Sequence, residues 1–183
     1  MTPSKKTAFV ADVAADGALN QLPHNSDSAF AIAAAYNQLA SPAYYVWASY
    51  TSADAIMDAI TWASLTPSDA ADGTATFTNR ALLCQAKQFN LSILLQGRDR
   101  VASGKLNVRQ GLSDALQNVP AGASGALVDA GWAGAGKVKA AITRQATRLE
   151  KLFATGSGTT ATPSVLGYDG TIGYQEVLDA LGW

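Results

Sequence analysis

Apolar residues along the chain recur mainly three and four positions apart, which places them on one side of a helix, while strict alternation is scarce. This spacing predicts a first helix over Lys5–Ala15, with Phe9, Val10 and Val13 on its apolar side and Gly17 just beyond its end. A second runs over Ser28–Leu39, opened by the cap-forming Asn25, Ser26 and Asp27 and bearing Phe30, Ala33, Ala34 and Tyr36, with Pro42 ending it. Ala43–Tyr50 is dense in aromatics and is the best strand candidate by propensity, although the pattern on both sides of it is helical. Thr51 and Asp54 resemble a capping box ahead of a short helix carrying Ile56, Met57 and Ile60, and Thr66-Pro67 is a further helix-start signal. The longest helical pattern covers Thr76–Gln96. There Phe77, Ala81, Leu82, Cys84, Phe89, Ile93 and Leu94 span so broad a face that contact from more than one side is expected, and Gly97 is the stop.

Asn107 caps a predicted helix reaching Val119, with Pro120 ending it. Ala121–Gly136, with Gly122, Gly125, Gly131 and Gly134, reads as a short helix or turn around Leu127 and Val128 followed by a connector. A final long helix is expected over Lys137–Ala154, where Val138, Ile142, Ala146, Leu149, Leu152 and Phe153 form the core stripe. Gly156–Thr162 is a small-residue linker, and the tail Tyr168–Trp183 ends in an amphipathic helix carrying Tyr174, Val177, Leu178 and Leu181. The fold class that follows is all-α: a small helical bundle over residues 1–155, then a linker and extended C-terminal docking arm over 156–183.

Composition sharpens this reading. Alanine, the best helix former, supplies 36 of 183 residues, and charged residues make up 15% against roughly 25% in ordinary soluble domains. The expected surface is therefore poor in charge. A net charge of −1 demotes a free-standing nucleic-acid binder, whose affinity rests on concentrated positive charge. The single cysteine, Cys84, excludes an internal disulfide framework and any zinc site built on several thiolates. The opening Met-Thr-Pro-Ser-Lys-Lys leads into a mixed polar segment without the apolar core of a signal peptide, and no run approaches the ~18 apolar residues of a membrane span. A soluble intracellular product without a membrane partner is the expectation.

The sharpest apparent motif is Gly131-Trp-Ala-Gly-Ala-Gly136-Lys137-Val138. It matches the first seven positions of a phosphate-binding loop and fails at the eighth, where Val138 replaces the magnesium-binding hydroxyl. A glycine-rich connector entering a helix is the simpler reading, with a nucleotide-binding enzyme as the alternative. The only histidine, His24, sits in a Pro-His-Asn-Ser loop, and Cys84 lies among Leu82, Leu83 and Ala86 as a small core residue. Asp12 with Asp16, and Asp54 with Asp58, are four apart on helix faces without basic partners nearby, and read as solvated charges. Asp69–Gly73 lacks the alternating oxygen ligands of a calcium loop. No catalytic residue, cofactor or metal ligand is expected.

Two patterns bear on surfaces. Arg98, Arg100, Lys105 and Arg109 cluster in and after a loop, while Lys137, Arg144, Arg148 and Lys151 would form one basic stripe along the final helix. That stripe is either a solvated helix face or a contact for DNA phosphate or an acidic protein surface. Tyr44, Tyr45, Trp47, Tyr50 and Trp62 crowd together, and Tyr168, Tyr174 and Trp183 mark the tail. Interfaces favour Tyr and Trp and disfavour charge, so Tyr44, Tyr45, Trp47, Tyr168, Tyr174 and Trp183 are candidate interface residues; a local core with a docked tail is the other explanation.

The segments Ser26–Asn37, Ser41–Trp47, Asn107–Arg109 and especially Arg148–Val177 (Arg-Leu-Glu-Lys-Leu-Phe-Ala-Thr-Gly-Ser-Gly-Thr-Thr-Ala-Thr-Pro onward) resemble small proteins from the structural genes of tailed bacteriophages. The resemblance spans most of the chain. It implies a non-enzymatic virion protein, most plausibly an adaptor or neck subunit between portal and tail, and it transfers no catalytic residue. A ring of about twelve copies, held by heterologous contacts, is expected on the same ground. Portal and tail or neck proteins would be its partners, with non-specific contact to packaged DNA also open; Arg144, Arg148 and Lys151 would face either the DNA passage or an acidic portal surface. Other virion positions (tail completion, tail tube, capsid decoration) compete, the last two being usually rich in strands.

Overall fold

The computed structural model describes residues 1–66, 75–121, 126–133 and 136–183, of which 75–79, 121 and 126 by backbone alone. The expected start at Thr66-Pro67, the Asp69–Gly73 segment and part of the glycine-rich connector fall outside these residues. Among those described, the helices are α1 (Pro3–Ala15), α2 (Ser26–Asn37), α3 (Ala53–Ala59), α4 (Ala75–Leu95), α5 (Leu106–Leu116), α6 (Lys137–Ala141), α7 (Arg148–Phe153) and α8 (Tyr174–Leu181). The strands are β1 (Tyr45–Trp47), β2 (Thr51–Ser52), β3 (Arg100–Val101), β4 (Val119–Ala121), β5 (Ala126–Val128) and β6 (Thr143–Gln145), pairing as β1–β6, β2–β3 and β4–β5. Among the described residues helix (about 52%) outweighs strand (12%, in three small antiparallel sheets), so the fold is mixed α and β and the all-α expectation is corrected.

Three local causes account for the correction. The expected helix over Lys137–Ala154 breaks because Thr147 and Glu150 form a capping box: Glu150 N–H donates to Thr147 Oγ1 at 3.2 Å and Thr147 N–H to Glu150 Oε2 at 2.9 Å. Such a box starts a helix, so α6 ends before it and the intervening residues become β6. Beyond α5, Asn118 adopts a left-handed turn (φ 52°), and Val119, Pro120 and Ala121 then pair with Val128, Leu127 and Ala126. Pro120 has no N–H to give and is tolerated in a two-stranded edge. The aromatic run contributes β1, as its β-branched and aromatic propensity suggests.

Contacts divide the chain into two compact units, one of Met1–Val46 with Gln145–Trp183 and one of Trp47–Arg144. In the first, α1, α2, α7 and α8 bury Phe9, Val13, Ile32, Tyr36, Leu149, Ile172 and Val177 together, with Phe9 edge-on to Tyr36 at 4.8 Å. Asn25 caps α2 through its side chain, which accepts from Ser28 N–H at 2.9 Å. The expected extended arm is instead folded onto its own chain. Asn37 clamps the backbone of Ile172 by donating to its carbonyl and accepting from its N–H, both at 2.9 Å. Burying Ile172 and Val177 stabilises this packing by roughly 1.5–3 kcal/mol each, which a free arm would forgo.

In the second unit, α4 packs Cys84, Leu91 and Leu95 against Ile56, Leu65, Leu112, Leu116, Val119 and Ile142. Ser52 caps α3 by accepting from Ala55 N–H at 3.1 Å, one residue after the expected Thr51. Thr51 is occupied elsewhere, its hydroxyl bonded to that of Ser103 at 2.9 Å.

Candidate functional site

The helix expected to be contacted from two sides is contacted by its own unit on one. Along α4, Cys84, Leu91 and Leu95 are buried, whereas Leu82 (57% exposed), Ala86, Phe89 (65%) and Ile93 (58%) face water. At about 100° per residue these two sets lie on opposite faces, and the outward set advances by four, three and four, the spacing of a helix–helix seam. From Ala81 to Leu95 the only charge is Lys87. Its ammonium is turned away to α5, donating to the carbonyls of Asp114 and Gln117 at 2.6 Å each. The outward face is therefore apolar and uncharged.

Beside this seam opens a groove of about 880 Å³ between α3, α4 and the turn after Leu95. Ala53, Met57, Trp62, Leu91 and Leu95 give it an apolar lining, and Asp54, Arg98 and Asp99 stand on its rim. Trp62 is fixed by its indole N–H donating to Met57 O at 3.0 Å. Trp62 and Met57 are themselves partly exposed, and Gln88, Ser92 and Gln96 line the groove on the side of α4 between its apolar floor and the seam.

The aromatic candidates are spread over both units and mostly engaged within the chain. Tyr44 is bonded through its hydroxyl to Gly156 O at 3.0 Å and to Ser164 at 2.7 Å, with Lys151 over its ring at 5.7 Å. Tyr45 is half-buried; its N–H donates to Gly158 O at 2.8 Å and its carbonyl accepts from Ser164 N–H. Trp47 lies parallel to Trp132, centroids 6.2 Å apart, with the Arg109 guanidinium over it at 4.7 Å. Tyr168 packs beside Phe153 and Lys5, and burial raises its pKa. Trp183 stacks on His24 at 4.5 Å. Tyr174 stacks on Phe30 at 4.1 Å, and both stay exposed, making a small apolar patch.

The single helix that was to align Lys137, Arg144, Arg148 and Lys151 does not form, and the continuous stripe goes with it. Lys137 opens α6, Arg144 lies in β6, and Arg148 and Lys151 belong to α7. Arg148 is held by two ion pairs, to Asp16 at 2.8 Å and Asp12 at 3.1 Å, and its guanidinium covers the Tyr36 ring at 4.3 Å. Asp12 and Asp16, expected as plain solvated charges, thus have a basic partner 132 or more residues away. The backbone N–H groups of Leu19 and Ala18, and then Arg148, hold the Asp16 carboxyl at about 2. Burial raises the Tyr36 pKa, as does its hydroxyl's donation to Asp12. Burial opposes the charge of Arg148, but its bonds to Asp16, Tyr36 and Asp12 raise its pKa on balance. Of the other basic cluster, Arg109 is buried, donating to the carbonyls of Ser103 at 3.1 Å and Gly104 at 2.5 Å, and burial lowers its pKa. Arg98, Arg100 and Lys105 are exposed.

At the phosphate-loop-like motif, the Asp129 carboxylate already fills the cradle. It accepts from the N–H groups of Gly131 and Trp132 at 3.0 Å and Ala133 at 2.8 Å, donors that a phosphate would need. Cys84 is buried, its thiol directed at Pro120 O at 3.2 Å and its pKa raised by burial. Among the described residues, no three His, Cys, Asp or Glu side chains group as metal ligands, and no helix is long and apolar enough to cross a membrane. No protein-family model matches the sequence, and neither the curated proteins nor the solved structures give a significant match.

Proposed function

We propose that this chain is a structural subunit of a tailed-bacteriophage particle, a head-to-tail connector that assembles as a ring between portal and tail. The observation that carries the reading is the outward face of α4, where Leu82, Ala86, Phe89 and Ile93 lie in water at helix-pairing spacing without a charge. Uncovered apolar side chains at this spacing make a patch of the few-hundred-Å² size that marks contact sites between proteins, and a second copy of the chain is the occupant we assign. Low overall charge suits a protein whose surface is largely covered in its assembly. The sequence resemblance supplies the virion context. Helix outweighs strand in the fold, which suits a connector better than the strand-rich tail-tube or decoration positions.

The ring contact in this reading runs through α4 rather than through the C-terminal segment, which packs on its own unit. Native mass spectrometry of the protein with and without portal protein tests the proposal. The expected result is a closed oligomer of about twelve copies that gains mass with portal. A protein that stays monomeric at all concentrations and ignores portal refutes it.

A further inference from the structure

We propose that the groove beside α4 receives the Lys105-Leu106 corner of a neighbouring copy, so that successive subunits join head to tail. The inference rests on the assembly reading above and names the contact within it. Leu106, the first residue of α5, is 62% exposed, and Lys105 before it and Arg100 in β3 are exposed as well. The corner is an exposed apolar side chain, a knob directly preceded by a lysine, at the positive end of an 11-residue helix.

The groove offers the opposite arrangement. Met57, Trp62, Leu91 and Leu95 supply its apolar part beside the polar Thr66, Gln88, Ser92 and Gln96, and its 880 Å³ admits a leucine with the lysine stem beside it. Asp54 and Asp99 stand on the rim against the single Arg98, and the carboxyl end of α4 adds its partial negative charge. Among the described residues neither carboxylate is in an ion pair. The backbone holds the two acids together, since Ala53 N–H donates to Asp99 O at 3.1 Å.

The body of α5, which carries the knob at its start, and the groove lie on different sides of α4. The α5 helix runs along the Lys87 and Leu94 side, where Gly111 meets Leu94, while the groove opens on the side of Gln88, Ser92 and Gln96. At about 100° per residue these sides are roughly 150° apart around the helix axis. The knob and the groove are two different patches, and a contact between different patches on two copies is heterologous, the kind that closes into rings.

A charge-reversal cycle read by sedimentation velocity at low salt tests the contact. Lys105→Glu alone, and Asp54→Lys with Asp99→Lys, should each weaken self-association tenfold or more, with unchanged circular dichroism. An equimolar mixture of the two proteins should regain wild-type association, because the reversed knob then meets the reversed groove. Leu106→Ser should weaken association whatever the salt. Association that ignores the reversals, or a mixture that stays apart, overturns the contact. Binding to portal is scored separately: a charge cycle that behaves as expected without portal binding keeps this contact and removes the connector reading, and the converse does the opposite.

Discussion

Replacing Phe89 by Gln separates assembly from folding in one substitution. Phe89 is 65% exposed, so the change removes no buried contact of the unit, and its effect on stability should stay within about 0.5 kcal/mol. In the assembly, that exposed fraction of a ring side chain is about 130 Å², which at about 25 cal/mol per Å² gives about 3 kcal/mol per contact. The association constant should fall roughly a hundredfold. Leu91→Ala is the mirror control. Leu91 is 1% exposed on the opposite face of α4, and its truncation should cost about 2–5 kcal/mol of stability. A dilution series by sedimentation velocity reads association, and urea unfolding reads stability. If Phe89→Gln lowers the unfolding midpoint as Leu91→Ala does, or leaves association untouched, the two-faced account of α4 is wrong.

Three further outcomes are expected. The Asp16 carboxyl is held at about 2 against an ordinary 3.8, so its contribution is complete above about pH 4 and is lost as pH falls toward 2. Asp16→Asn should therefore flatten the acid limb of the stability profile between those values, and an unchanged slope in urea titrations would show the ion-paired corner is not what senses acid. Thr147→Ala removes the hydroxyl that starts α7 and should cost about 1 kcal/mol in denaturant unfolding, while Thr147→Ser should not. Gly158→Ala forces a methyl to within 2.1 Å of the Tyr44 ring at a backbone φ of +67°, so thermal unfolding should drop by several degrees and the Tyr44 fluorescence environment should change.

Much of the helical content was legible in the apolar spacing. The expected bounds of the first, second, fourth and fifth helices fall within a few residues of those observed, because each has helical apolar spacing and recognisable ends. The break at Thr147 was also written in the chain, as Thr-Arg-Leu-Glu, but an unbroken apolar stripe from Val138 to Phe153 concealed it. The pairing of Val119–Ala121 with Ala126–Val128 was hidden for the opposite reason: Pro and Ala carry little strand propensity, and cross-strand pairing supplies what propensity lacks. Arg148 with Asp12 and Asp16 shows the limit of local reading, since no periodicity links residues so far apart in sequence. Asp129 was readable in principle, as an acid two residues before Gly131 that curls the backbone onto itself. At the candidate surface the sequence revealed that α4 has two apolar faces, but not which one the unit covers or that a groove lies beside the other.

The first unit is assembled from two stretches far apart in sequence, 1–46 and 145–183, and its core includes Ile172 and Val177 from the second. During synthesis, residues 47–144 emerge with the large side chains of their own core cluster already present, whereas α1 and α2 wait with Phe9 and Ile32 uncovered until residues 145–183 have followed. The inserted unit thus acquires its apolar outer face early, and the host unit closes after it.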